Sequence, residues 1–244
     1  MTTGPCWGDY SRHLDTNGYV RVSPQFLKIE NDLIPVKEQI YDYYIKSNTR
    51  VLKNPFSING LYQLIKKALV PFACYYYKCV PTISYVKIIK SYTSNNPKDT
   101  QFFHRDPGSH KLLKAVIYLN DVDFEGGPLV YVQGTNKEDL VGHSGRERIN
   151  DNIVKQRYKN KVKELVGPFG QVIFFDAMGI HKGKLPIQND RIAIIVNFSL
   201  HSEYGQKDNY SKVAYNITGD YDDFDLMLLD SCMPIFGVEN ENKS

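Results

Sequence analysis

The chain has 244 residues, 42% hydrophobic and 23% charged, proportions that suit a folded globular protein and exclude a disordered chain, a collagen-like repeat or a coiled coil. Its 30 Lys and Arg against 27 Asp and Glu leave a formal charge of +3, too small a surplus to mark a dedicated nucleic-acid binder. No stretch approaches the roughly 18 consecutive apolar residues of a bilayer span, no secretory signal is readable at the start, and the four cysteines form no zinc-type pairs; a cytosolic protein with reduced thiols and no membrane span is expected.

No internal repeat or long Gly/Ser linker divides the sequence, so one domain over residues 1–244 is predicted, with a helical front (1–80), a β-rich core (81–200) and a C-terminal extension (201–244). In the front, residues 32–46 carry Leu33, Val36, Ile40, Tyr43 and Tyr44 at helical spacing, and residues 57–69 do the same with Leu61, Leu64, Ile65 and Ala68. Ser47-Asn48 and Pro71 are the expected stops. Residues 15–18 read as a turn. Cys74 and Cys79 lack a second cluster and are expected to pack as small hydrophobic residues.

From residue 81 the texture changes to short β-branched and aromatic runs at 83–92, 112–119, 129–132, 172–175 and 192–200. Turn residues separate them: Asn95-Asn96-Pro97, Pro107-Gly108, Gly126-Gly127-Pro128, Gly167-Pro168 and residues 186–190. Antiparallel pairing in an all-β core follows. Residues 137–163 are polar and charged, and predict an excursion over the mouth of the core with no core element of its own. After it, residues 220–225 are acidic and precede the apolar residues 226–229, a pattern that fits either a capping helix or a subunit contact.

Two of the six histidines open a His-x-Asp triplet, His13-Leu14-Asp15 and His104-Arg105-Asp106. A short motif of this kind arises by chance, and context separates the two. His13 leads into a turn near a terminus, whereas His104 follows Phe102-Phe103 and precedes a Pro-Gly turn that feeds a strand. In extended chain, residues i and i+2 project from one face, so His104 and Asp106 point at one ion together. His181, just past the strand at 172–175, supplies a third ligand. Two histidines and one carboxylate form the facial triad of non-haem Fe(II), which leaves coordination positions open for substrate, cosubstrate or oxygen. Arg191 opens the last strong strand; alternation places Arg191, Ala193, Ile195 and Asn197 on one face, and an inward arginine calls for an anionic partner. His110, His143 and His201 have no partner at ligand spacing and are expected at the surface.

These residues resemble the iron(II)- and 2-oxoglutarate-dependent dioxygenases, in particular the phytanoyl-CoA dioxygenase-like family. The resemblance runs over about 120 residues, starting faintly at Asn17-Gly18-Tyr19-Val20 and becoming clear at Gln101-Phe102-Phe103-His104-Arg105-Asp106. It continues through residues 117–122 and 126–134 to Phe174-Phe175-Asp176-Ala177, His181 and Arg191. Gln133-Gly134-Thr135-Asn136-Lys137 departs from the family's usual loop ending without touching a ligand. The resemblance implies a double-stranded β-helix (a cupin-like jelly roll, mainly β with flanking N-terminal helices), iron held by His104, Asp106 and His181, and the distal carboxylate of 2-oxoglutarate on Arg191. It also implies O2 as oxidant, ascorbate as a possible support, and hydroxylation of an unactivated C–H bond in a small-molecule substrate with release of succinate and CO2. Because Asp106 is a carboxylate, the resemblance points away from halogenating relatives.

Three further polar positions are candidates beside this set. Lys87 either assists the cosubstrate or faces water. Tyr118 either bonds the cosubstrate or packs. Arg105 projects opposite to the metal ligands and meets either substrate or solvent. Phe102, Phe103, Phe174 and Phe175 are expected to line the ligand-bearing strands. Two other functions stay open: a binding or regulatory module that lost turnover, and an oxygenase acting on nucleic acid or protein through the basic residues 146–163.

Overall fold

The computed structural model describes residues 6–107, 111–138, 147–200 and 222–229. Along the chain come α1 (Trp7–Asn17), β1 (Tyr19–Val22), α2 (Pro24–Leu27), α3 (Glu30–Lys46), β2 (Val51–Leu52), α4 (Leu61–Ala68) and α5 (Val70–Tyr77). The β-rich part follows with β3 (Thr82–Ser91), β4 (Leu113–Tyr118), β5 (Leu129–Val132), α6 (Asp151–Tyr158), β6 (Val162–Leu165), β7 (Val172–Asp176), β8 (His181–Gly183) and β9 (Arg191–Ser199), and then α7 (Asp223–Leu229). Six strands form one antiparallel sheet in the order β1-β7-β4-β9-β3-β2, and β6-β5-β8 form a second. This is the double-stranded β-helix architecture.

The central strands β7, β4 and β9 of the large sheet are buried on both faces, which explains why they read as nearly continuous apolar runs. Register aligns Ala115 with Phe174 on one side and Val196 on the other. That row, with Ile88, Ile117 and Phe198, packs against Leu33, Ile40, Leu61, Ile65 and Phe72 of the helices. Alternate residues Val116, Tyr118, Ile173, Phe175 and Ala193 pack on the other side with Leu129, Tyr131 and Leu165 of the small sheet. The candidate site lies on this inner face.

The front is more helical than its periodicity indicates. α1 has few apolar residues and buries only Ser11 and Leu14 within its own span, so its pattern is faint. It runs through the residues expected to turn and ends on Gly18, whose φ of 84° is the left-handed geometry that glycine adopts without strain. Pro71 does not stop a helix; it occupies the first turn of α5, where its missing N–H has no partner to lose.

Residues 137–163 also depart from expectation. Within them, α6 buries Val154 and Tyr158 one turn apart against Phe103, Val132 and Ile180, and β6 pairs with β5. The segment is therefore partly a core element, held by two well-placed side chains where a count of apolar residues is low. α7 packs on β3: Leu228 is fully buried and its carbonyl accepts a bond from the Thr82 hydroxyl at 3.3 Å. Cys6, Cys74 and Cys79 are free thiols; Cys79 is exposed, against expectation, and Cys74 is half-buried. Among the described residues no helix is long and apolar enough to cross a membrane.

Phe174 and Phe72, both fully buried, meet with ring centroids 4.4 Å apart and join sheet to helices. Replacing Phe174 by Ala leaves a cavity there and is expected to cost about 3–5 kcal/mol, read as a lower denaturant midpoint in equilibrium unfolding.

Candidate metal centre

An isolated antiparallel bridge joins His104 to His181. Each residue's backbone N–H donates to the other's carbonyl at 2.9 Å, and the Asp106 N–H donates to the Ala177 carbonyl at 2.9 Å. Two segments nearly eighty residues apart in sequence are thereby locked side by side. The imidazole centroids lie 4.4 Å apart.

Each ring is held from behind by its own loop. Nδ1 of His104 bonds the Phe102 carbonyl at 2.8 Å, and Nδ1 of His181 bonds the Gly179 carbonyl at 2.9 Å. A carbonyl only accepts, so both Nδ1 atoms carry the proton and both Nε2 atoms keep a lone pair. Those lone pairs converge on Asp106: Nε2 of His104 is 3.7 Å from Oδ1, and Nε2 of His181 is 3.7 Å from Oδ2. All three ligand atoms lie within 4.8 Å of one another. The donor set is that of the facial triad, two imidazoles and one carboxylate.

Electrostatics prepares the same groups. Burial pushes the His104 imidazole below its ordinary pKa and that of His181 down to about 3, so both are neutral at physiological pH and have no proton to expel when a cation arrives. Burial works to raise the Asp106 carboxyl, but the Lys114 ammonium and the neighbouring histidines outweigh it and hold the group well below the usual carboxylate range. Lys114 Nζ makes a direct ion pair with Asp106 Oδ2.

Packing around His181 leaves little freedom. The Tyr131 ring lies nearly parallel to the imidazole, tilted by 14° at 6.4 Å, and the Phe175 ring meets it edgewise at 5.0 Å. The Tyr131 hydroxyl presses on both Gly18 and Gly179, where any Cβ would collide with it. It donates to the Asp176 carbonyl at 2.8 Å.

Arg191 points inward as expected. One guanidinium nitrogen donates to the Gly127 carbonyl and the other to the Ser91 hydroxyl at 3.1 Å. A Cβ on Gly183 would lie 3.2 Å from the guanidinium. Gly183 is two residues beyond His181 on β8 and shares its face, so the arginine lies on the metal side of the barrel, about one residue pair further in.

The other candidates divide. Lys87 is exposed on the inner face of β3, with its ammonium 4.6 Å from the centre of the Tyr85 ring. Tyr118 is fully buried; its hydroxyl donates to the Leu165 carbonyl at 2.9 Å and accepts from the Leu129 N–H at 2.9 Å. It packs, and its hydroxyl bolts the two sheets together. Arg105 is turned away from solvent. It is buried, donating to the Thr135 and Met178 carbonyls at 2.7 and 2.6 Å and to Glu138 Oε2 at 2.7 Å, a clamp that occupies the guanidinium. Phe102 is 37% exposed and contributes its carbonyl, not its ring. Phe174 faces the helices, leaving Phe175 beside the site. His13 is exposed and belongs to no ligand cluster among the described residues. His110, His143 and His201 lie outside the described residues.

From the sequence, Asn197 was placed on the face of Arg191 without a role, and Lys114, Ser91 and Gly183 were not singled out. Lys114 and Asn197 had a signal: each is a lone polar residue inside a strand that is otherwise apolar.

Residues 86–185 match the family Phytanoyl-CoA dioxygenase (PhyH), a span that contains all three clustered ligands. Over that span the chain is similar to the phytanoyl-CoA dioxygenases. Enzymes of this kind work with iron(II), 2-oxoglutarate and O2. Solved structures share the fold at low identity. EctD from S. alaskensis with bound Fe superposes with a TM-score of 0.65 at 14% identity, covering 83% of this chain and 80% of that one. The epimerase SnoN, in complex with Fe3+, alpha-ketoglutarate and nogalamycin RO, gives 0.63 at 14% identity, over 80% and 83% of the two chains. The alpha-ketoglutarate-dependent carbocyclase SnoK from nogalamycin biosynthesis gives 0.62 at 14%, over 79% and 83%. No curated protein matches the chain in sequence.

One carboxyl near the site titrates in an accessible range. Asp176 ends β7 of the oxygenase core, is 4% exposed and accepts from the Met178 N–H at 3.0 Å. Burial pushes its pKa up to about 6. Its folded-state pKa exceeds the unfolded value of 3.8, so its contribution to stability is full below pH 3.8 and is lost as pH rises to about 6. Asp176→Asn is expected to be more stable than the parent at pH 7 by on the order of 3 kcal/mol, with the advantage vanishing near pH 4. Urea unfolding of both proteins across that range measures the difference.

Proposed function

We propose that this chain is a non-haem oxygenase that hydroxylates an unactivated C–H bond of a small-molecule substrate, converting 2-oxoglutarate and O2 to succinate and CO2. His104, Asp106 and His181 would hold iron(II), and Arg191 would receive the distal carboxylate of 2-oxoglutarate. The observation that carries the reading is the convergence of two neutral imidazole nitrogens and one ionised carboxylate on a common point, with an inward arginine on the same face.

Bound iron supplies the oxidative chemistry; the residues of this chain position and shield it. The Phe102 and Gly179 carbonyls fix the two imidazole tautomers, so each ring offers Nε2. Lys114 occupies one oxygen of Asp106 and leaves the other turned toward His104. Arg191 presents a planar pair of donors that a lysine cannot reproduce, and its bonds to Gly127 and Ser91 aim it. Gly183, lacking a side chain, leaves room in front of the guanidinium. Phe175, Tyr131, Val116 and Ala193 form an apolar wall that keeps water from the reacting centre.

Hydroxylation is the outcome that needs nothing beyond this machinery. The names of the fold neighbours include an epimerase and a carbocyclase, so product analysis belongs in the test. Purified protein with Fe(II), ascorbate and 2-oxoglutarate is expected to release succinate under air, and His104→Ala to reduce this at least a hundredfold. Arg191→Lys is expected to raise the 2-oxoglutarate KM roughly tenfold, equivalent to about 1.4 kcal/mol of lost recognition. Succinate formation unaffected by His104→Ala would overturn the assignment.

A further inference from the structure

Strand parity puts more charge on the inner face than the reaction uses. Lys87 on β3, Lys114 on β4 and both Arg191 and Asn197 on β9 share that face. Register sets Asn197 opposite Lys114 on one side and opposite Tyr85 on the other. The Lys114 ammonium is 5.5 Å from the centre of the Tyr85 ring and that of Lys87 is 4.6 Å from it, so two ammonium groups crowd one aromatic side chain. Asp106 is the carboxylate paired with Lys114; Lys87 has no ion pair among the described residues. Lys87 is exposed although it lies on the inner face; the apolar cluster that joins the small sheet to the large one draws on β4, β7 and β9 and includes no residue of β3. The protein around its stem, and then the charge of Lys114, lower its pKa.

Resting on the oxygenase reading above, we infer that the substrate carries an anionic group, a phosphate or a carboxylate, received by Lys87 and Lys114. With iron(II) and 2-oxoglutarate both bound, the divalent cation and the dicarboxylate cancel. Among the described residues of this face, Asp106 then remains as the one carboxylate against Lys87, Lys114 and Arg191, and two positive charges are left, those of Lys114 and Arg191 deep in the barrel and that of Lys87 at its exposed edge. A neutral or cationic substrate would leave them uncompensated or worsen the repulsion, whereas an anion completes the site. Asn197 points the same way. It is 5% exposed and its Oδ1 has no hydrogen-bond partner among the described residues, a state that buried amides avoid. A half-turn of that amide offers Nδ2 as a donor to an anion at the same level of the barrel as Lys114.

The test is calorimetric and needs no turnover. Full-length protein is first titrated with Mn(II), an oxygen-inert stand-in for iron, and with 2-oxoglutarate. The loaded protein is then titrated with n-hexyl phosphate, n-hexanoate, n-hexanol and n-hexylamine. At least one anion is expected to bind ten or more times tighter than hexanol, with hexylamine weakest, and the tighter of the two anions names the source of the charge. Lys87→Gln, at an exposed position, is expected to bring the anion within threefold of hexanol, Lys87→Arg to preserve its advantage, and Lys114→Met to act like Lys87→Gln. Hexanol binding as tightly as both anions, or an anion preference that survives Lys87→Gln, overturns the inference while leaving the oxygenase reading intact. Failure to bind Mn(II) or 2-oxoglutarate in the first titrations overturns both.

Discussion

The pair of backbone hydrogen bonds between His104 and His181 is the constraint on which the site depends. Side chains alone could not hold two imidazoles from distant segments in a fixed relation, because each has rotamer freedom to lose. A β-bridge removes that freedom at the backbone, and the Nδ1 bonds to Phe102 and Gly179 remove what remains at the rings. Asp106 is placed by the same device, through its N–H to Ala177. Tyr131 and Phe175 then pack against a ring that is already fixed, and Gly18 and Gly179 are glycines because the tyrosine leaves no room for more.

The charges on the inner face follow a second rule. A strand buried on both sides has no solvent face to which a lysine can turn, so the cations of β4 and β9 find partners inside the barrel. Lys114 finds Asp106, and Arg191 finds Gly127 and Ser91. Arg105 shows that burial of a cation does not by itself mark a functional group. Its guanidinium meets two carbonyls and Glu138 in a closed set of bonds, whereas the groups of Lys87 and Asn197 are left with capacity to spare.

Much of this was legible along the chain. Five strands, two helices and the triad were readable because alternation, helical spacing and the His-x-Asp triplet are local patterns that survive any packing. Tyr118, Arg105 and α6 were misread or left open for the opposite reason. Whether a phenol hydroxyl meets a cosubstrate or a backbone carbonyl depends on a strand paired with it from elsewhere. Val154 and Tyr158 qualify as core only because Phe103 and Ile180 come to meet them.

Residue types and their order by themselves determined the chemistry on offer: two histidines, a carboxylate and an arginine on strands of known parity. The tertiary structure alone decided that those histidines face each other, that Lys114 neutralises Asp106, that Arg105 is a clamp, and that Asn197 Oδ1 is left without a partner among the described residues. Parity along a strand is set by covalent geometry, which the sequence carries. Contact between strands is set by register and by the packing of two sheets, to which residues far apart in the chain contribute equally.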